Sequence, residues 1–135
     1  MTAAPSLSRA RTALRRARRL DLPTLRAAWW TARSIRELRA RLREEGLDAR
    51  VSSPPPLPPA AVRGVTAVAH RLRATCLEQS LLLQEWLSAQ GKRHAVVIGV
   101  PRPDTGPFIA HAWLEGHDSG AEARDFAELM RLDPR

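Results

Sequence analysis

The first third of the chain carries apolar residues at helical spacing. Residues 6–20 place small and apolar side chains on one side and arginines around the rest, which predicts an amphipathic helix. A second helix is predicted from Asp21, a suitable cap, to Gly46, because glycine readily takes the backbone conformation that ends a helix. Pro23 suits the first turn of this helix. Its predicted apolar stripe consists of Leu25, Trp29, Ala32, Ile35, Leu38 and Leu42.

Two further helices are predicted after a proline-rich stretch. Val62, Val65, Val68, Ala69 and Leu72 mark the first of them. The second covers about residues 76–90, with Thr75 as a possible cap, and is apolar around most of its circumference. A helix of that kind is typical of the buried centre of a domain.

The pattern then changes to strands. Residues 94–100 and 108–115 are short apolar runs that predict two strands, and residues 121–125 are a candidate third. The spacing of Phe126, Leu129 and Met130 suggests a final helical turn. Short connections favour antiparallel pairing. We therefore expect an α+β fold in which a central helix packs on a small antiparallel sheet.

This organisation divides the chain into three segments. Residues 1–50 form a basic, amphipathic helical segment, residues 51–59 (VSSPPPLPP) a stiff linker, and residues 60–135 the α+β domain. The apolar stripes of the N-terminal helices need a cover. The sequence leaves open whether that cover is the domain or another chain.

Composition favours a folded cytoplasmic protein. The chain has 135 residues, of which 44% are apolar, and no apolar run approaches the roughly 18–20 residues of a membrane span. The arginines near the N-terminus are not followed by the apolar stretch of a secretory signal. A single cysteine cannot form an internal disulfide.

The positive charge is confined to the N-terminal segment. Residues 1–50 hold 13 arginines and five acidic residues, whereas residues 51–135 hold nine basic and nine acidic residues. Such a block indicates an acidic partner or nucleic acid, or only a solvated helix face. Four tryptophans and two phenylalanines provide few rings for stacking bases, so a nucleic-acid-binding module is the weaker alternative.

Cys76, His111 and Asp125 are the candidate catalytic residues. Cys76 stands at the start of the most apolar helix, where free amides and the helix dipole favour a thiolate. His111 lies in the middle of the second predicted strand as a candidate base. A hairpin after this strand could bring Asp125 beside the imidazole as its orienting group. Asp118, in the turn between them, is the rival for that third role.

Other residues are weaker candidates. Trp113 shares the predicted face of His111 and is a candidate wall of the active site. His94 is a less favoured alternative base. One cysteine and four scattered histidines show no metal-ligand spacing, and no nucleotide-binding loop is present, so we expect no metal and no cofactor.

Residues 74–99 (ATCLEQSLLLQEWLSAQGKRHAVVIG) and 108–115 (FIAHAWLE) together resemble the core of the transglutaminase-like cysteine peptidases of lasso-peptide biosynthesis. The shared features are a Cys-Leu pair opening a leucine-rich helix, an apolar strand, and His-Ala-Trp-Leu-Glu. The resemblance implies a papain-like fold, catalytic roles for Cys76 and His111, and an aspartate that corresponds to Asp125.

The resemblance also implies a function and partners. The chain would remove the leader from a ribosomally made precursor peptide, before a macrolactam-forming cyclase acts. A separate protein would recognise the leader, because no additional small β-sheet module is visible in this sequence. The cyclase is a further candidate partner. The alternative within the same fold is acyl transfer to an amine.

Overall fold

A computed structural model describes residues 21–103, 109–117, 120 and 124–134. Its helices are α1 (Leu22–Glu45), α2 (Val62–Arg71) and α3 (Cys76–Ala89), and its strands are β1 (Val96–Pro101), β2 (His111–Leu114) and β3 (Phe126–Leu132). Short 3-10 turns occupy Gly46–Asp48 and Pro59–Ala61. The expected α+β fold, with helices on a small antiparallel sheet, is confirmed. The helix predicted over residues 6–20 lies outside the described residues.

Helix α1 begins and ends where the sequence predicts. The Asp21 carboxylate accepts a hydrogen bond of 3.0 Å from the Thr24 amide, and Pro23 lies in the first turn. Gly46 ends the helix with a φ of 62°, in the region that glycine adopts most easily.

The predicted apolar stripe of α1 was wrong at two positions. Leu25 is 48% and Trp29 67% exposed, whereas the neighbouring Trp30 is buried. The buried side of α1 is the one that meets α2 and α3. At the crossing with α2, a Cβ atom on Gly64 would lie 2.3 Å from the Thr24 carbonyl oxygen. The buried residues in the first two turns near this crossing, Thr24 and Ala27, are small, and larger side chains are buried further along the helix. Its buried members are Thr24, Ala27, Trp30, Thr31, Ser34, Ile35 and Leu38.

All three helices and the sheet share one hydrophobic core. Trp30 of α1 packs against Trp86 of α3 with ring centroids 5.9 Å apart. Val65 of α2, Val96 of β1 and Leu114 of β2 belong to the same buried cluster. Helix α1 is therefore covered by the α+β core. No helix among the described residues has the length and apolar character to cross a membrane.

The proline-rich segment lies against the helices. The Ser52 carbonyl accepts a bond of 3.1 Å from the Trp30 indole N–H, and the Leu57 carbonyl accepts one of 3.1 Å from Gln90. Val51 and Leu57 pack against the core. These contacts fix the route of the chain from α1 to α2.

Some arginines of the basic segment serve the fold. Arg39 forms an ion pair with Glu78, and Arg41 donates a hydrogen bond of 3.0 Å to the Arg50 carbonyl. Arg33 pairs with Glu37 on the exposed surface. At least three of the arginines in residues 1–50 therefore have partners within the fold.

The sheet has the order β2-β1-β3, and both pairs are antiparallel. The prediction of a helical turn at Phe126 was wrong, because this segment is strand β3. Arg124 and Asp125 were predicted as part of a strand and are helical. A bulge explains the misleading spacing: Ile98 pairs with Met130 and the next residue pairs with Glu128, so Leu129 is an extra residue. Hydrogen bonding to β1 therefore makes residues 126–132 a strand, despite the helical spacing of their apolar side chains.

Candidate active site

Cys76 is the first residue of α3 and is partly buried. Thr75 caps the helix: its hydroxyl accepts a bond of 3.2 Å from the Glu78 amide, and its own amide donates one of 2.9 Å to the Glu78 carboxylate. Amides of a first helical turn have no acceptor within the helix and form the positive end of its dipole. Cys76 therefore lies where an anionic sulfur or an oxyanion is stabilised.

Arg39 controls the charge beside this helix start. Its guanidinium donates to the two carboxylate oxygens of Glu78 over 2.9 and 3.1 Å. Burial raises the pKa of Glu78, but the bonds from Arg39 and Thr75 outweigh that effect, and the pKa lies below its usual 4.5. Glu78 is thus ionised at neutral pH, and Arg39 balances its charge, so the positive potential near Cys76 is not cancelled.

His111 is the first residue of β2 and lies opposite Gly99 of β1. The predicted alternation is confirmed: His111 and Trp113 stack on one face of the sheet, while Ala112 and Leu114 pack in the core on the other. His111 lies at one end of an edge strand of the described sheet. His111 therefore stands at the margin of the sheet, at the start of β2.

Cys76, His111 and Asp125 line one cleft of about 630 Å³. Its other walls are apolar, formed by Pro101, Ile109, Ala110 and Phe126. Cys76 and His111 also line a smaller cavity of about 160 Å³ between α3 and β2. Its α3 side is formed by Gln79, Ser80 and Leu83. The structure thus brings the three sequence-predicted residues to a single cleft.

The predicted route of Asp125 to this cleft was wrong. We expected a hairpin between β2 and the segment of Asp125, but β1 separates β2 from β3. Asp125 reaches the cleft because Phe126 pairs with Pro101 at the end of β1. The Asp125 carbonyl also accepts a bond of 3.0 Å from the Arg102 amide. The rival Asp118 lies outside the described residues.

Two aromatic residues lie at or near the cleft: Trp113, which was predicted as its wall, and Phe126, which was not predicted. Trp113 is 7% exposed and lines the smaller cavity, so its contact with a substrate stays a prediction. Phe126 lines the main cleft and was not predicted from the sequence as a site residue. Its position directly after the candidate aspartate was the available signal, which the mistaken assignment to a helix concealed.

The other histidines have different surroundings. His94 has its Nδ1 atom 2.9 Å from the Glu115 carbonyl oxygen, and it is not among the residues that line the cleft. His70 is exposed on α2. Over the described ranges, no three histidine, cysteine, aspartate or glutamate side chains are grouped as metal ligands.

Comparison with known proteins gives one family. The sequence profile of the transglutaminase-like superfamily matches residues 4–131, a range that includes α1, the three candidate residues and nearly all of β3. No curated protein and no solved structure matches the chain.

Proposed function

This chain belongs to the transglutaminase-like superfamily, and from that premise we propose that it is a cysteine peptidase. The superfamily indicates cysteine-dependent peptidase or acyl-transfer activity. The observation that supports the proposal most is the single cleft lined by Cys76, His111 and Asp125. Nucleophile, base and orienting group are the parts that such chemistry needs.

The proposed reaction has two halves. His111 takes the proton of the Cys76 thiol, the thiolate attacks the peptide carbonyl carbon, and the amide at the start of α3 stabilises the oxyanion. The imidazolium then gives its proton to the leaving amine, which frees the C-terminal fragment and leaves a thioester on Cys76. His111 next removes a proton from water and the hydroxide attacks the thioester carbonyl. The sulfur leaves as the thiolate and regains its proton from His111, and the acid product ionises to a carboxylate. Asp125 orients the imidazole throughout.

The finer proposal is that the substrate is a lasso precursor peptide, from which the enzyme removes the leader. Its support is the sequence resemblance of the Cys76-Leu77 helix start and of residues 111–115 to the leader peptidases of lasso-peptide biosynthesis. The apolar walls of the cleft, among them Ile109 and Phe126, suit an extended peptide with apolar side chains next to the cut bond.

Mass spectrometry of a precursor peptide incubated with the purified protein tests the proposal. We expect two fragments, with a free carboxylate on the leader, and no cleavage by Cys76→Ala. Ser88→Ala, near the other end of α3, is the matched control and should cut like the wild type. A leader fragment carrying an added amine would favour acyl transfer to an amine, and cleavage by Cys76→Ala would refute the mechanism.

We further propose that a separate leader-recognition protein delivers the substrate, with the cyclase as a second candidate partner. Helix α1 offers exposed side chains for such contacts: Leu25, Arg26 and Trp29 border a cavity of about 560 Å³ together with Pro54 and Pro55. None of these residues lines the cleft of Cys76. Equal cleavage rates with and without the recognition protein would refute the dependence.

A further inference from the structure

Three aromatic rings contact one another at the edge of the cleft. The His111 imidazole stacks on Trp113 with centroids 6.0 Å apart and an angle of 21° between the planes. It also meets Phe126 at 5.1 Å, and Phe126 meets Trp113 at 6.1 Å. All three distances are those of favourable aromatic pairs. The imidazole therefore has two ring neighbours that also hold each other.

The sheet fixes both ring neighbours. Phe126 is the first residue of β3 and pairs with Pro101, while Trp113 lies two residues after His111 on β2. Gly99, directly opposite His111, leaves room for the indole: a Cβ atom there would lie 2.8 Å from Cη2 of Trp113. The position of the Trp113 ring thus depends on a glycine at this point of β1.

We propose that Phe126 is a positioning residue for His111, acting with Trp113 and Gly99; this inference rests on the peptidase function proposed above. Both neighbours are carbon-rich rings, and the benzene ring of Phe126 has neither donor nor acceptor for the imidazole nitrogens. It restrains the imidazole and leaves those nitrogens to the thiol and the orienting carboxylate. Phe126 directly follows Asp125, so one strand start places both the restraint and the carboxylate.

The expected effect is on the chemical step. A displacement of about 1 Å of a catalytic group can cost about 100-fold in rate, so loss of the ring should lower kcat. Binding of the ground-state peptide does not need an aligned imidazole. Phe126 is also part of the cleft wall, but leucine keeps that wall apolar, so KM should change much less than kcat. The alkylation of Cys76 by iodoacetamide should also report the change, since it follows the thiolate that His111 helps to form.

The central experiment compares Phe126→Leu with Phe126→Tyr in the full chain. We expect Phe126→Leu to lower kcat by about 10- to 100-fold and to slow the alkylation of Cys76. Phe126→Tyr keeps the ring and should keep both properties. Leu129→Ala, on the same strand at an exposed position, is the control and should behave like the wild type. A wild-type kcat and alkylation profile in Phe126→Leu, or an effect on KM alone, would overturn the proposal.

Gly99→Ala tests the same relationship from the other side. The added methyl group would lie 2.8 Å from both the Trp113 ring and the Ala127 carbonyl oxygen, so it disturbs the indole and the start of β3 beside Phe126. Gly99 itself lines neither cavity that contains Cys76. We expect the same fall in kcat and the same change in alkylation. Unaltered kinetics in this variant would contradict the role given to Trp113.

Nuclear magnetic resonance of the wild-type protein tests the ring contacts of His111 without any substitution at Phe126 or Gly99. In the wild type, the His111 ring protons, assigned by comparison with His111→Gln, should be shifted by the currents of the two neighbouring rings. Shifts typical of an isolated histidine would overturn the proposal. A wild type that shows these shifts but cleaves no peptide would instead refute the proposed function.

Discussion

Arg39, in the C-terminal half of α1, holds Glu78 in the first turn of α3 through a two-point ion pair. The same guanidinium donates to the Leu72 carbonyl just after α2, over 3.0 Å. One side chain of the basic segment therefore connects three helices at the turn that carries Cys76. The N-terminal helix thus contributes to the geometry of the candidate nucleophile.

Replacement of Arg39 should destabilise the fold. The Glu78 side chain is only 7% exposed, so Arg39→Met leaves a nearly buried carboxylate with fewer donors. We expect the free energy of unfolding to fall by about 1–3 kcal/mol, the partial exposure of Arg39 limiting the loss. Urea denaturation measures it. Arg36→Met, an exposed arginine of the same helix, should cost no more than about 0.5 kcal/mol, and equal losses in both variants would contradict this account.

Stability should also depend on acid pH through Glu78. Its pKa in the folded protein lies below the usual 4.5, so its contribution is complete above pH 4.5 and is lost as pH falls through the lower folded value. Urea denaturation at a series of acidic pH values should show a steeper loss of stability in the wild type than in Glu78→Gln. Residual dependence is expected from Asp21, Glu37 and Glu115, whose pKa values are also lowered. Identical slopes would be evidence against the role of Glu78.

The adjacent tryptophans of α1 should differ strongly in their contribution to the free energy of unfolding. Trp30 is buried against Trp86, and Trp30→Ala should lower the free energy of unfolding by about 3–5 kcal/mol. Trp29 is 67% exposed, and Trp29→Ala should change it by no more than about 0.5 kcal/mol. Thermal or urea unfolding of the two variants provides the comparison. A larger loss in Trp29→Ala would mean that the face of α1 is assigned incorrectly.

Two aspartate-to-asparagine variants test which residue orients the imidazole. Asp125 lines the cleft with Cys76 and His111, and we proposed that it orients the imidazole, so Asp125→Asn should lower kcat by about 10²- to 10⁴-fold. Asp118→Asn is the matched control for the rival residue and should keep nearly full activity. Peptide-cleavage kinetics distinguish the two. The reverse result would transfer the role to Asp118.

Local chemistry was a reliable guide where an element depends on its own residues. The helix starts at Asp21 and Thr75 follow from side chains that bond neighbouring amides, and both are confirmed. The strand around His111 was also predicted. The segment at Phe126 was wrong, because a bulge at Leu129 changes the spacing of its apolar residues and only pairing with β1 reveals a strand. Trp29 was likewise misassigned, because the packing of Trp30 on Trp86 of α3 decides which side of α1 is buried.

The sequence by itself determined the α+β class and the caps of the helices, because these depend on residue type and short-range spacing. It also proposed Cys76, His111 and Asp125 as the site, the last of them with Asp118 as a rival. The tertiary structure alone decided the strand order, the contribution of α1 to the core, and the place of Phe126 beside His111. These features arise from contacts between residues far apart in sequence. Such contacts depend on which surfaces fit when the chain is compact, and a local pattern does not contain that information.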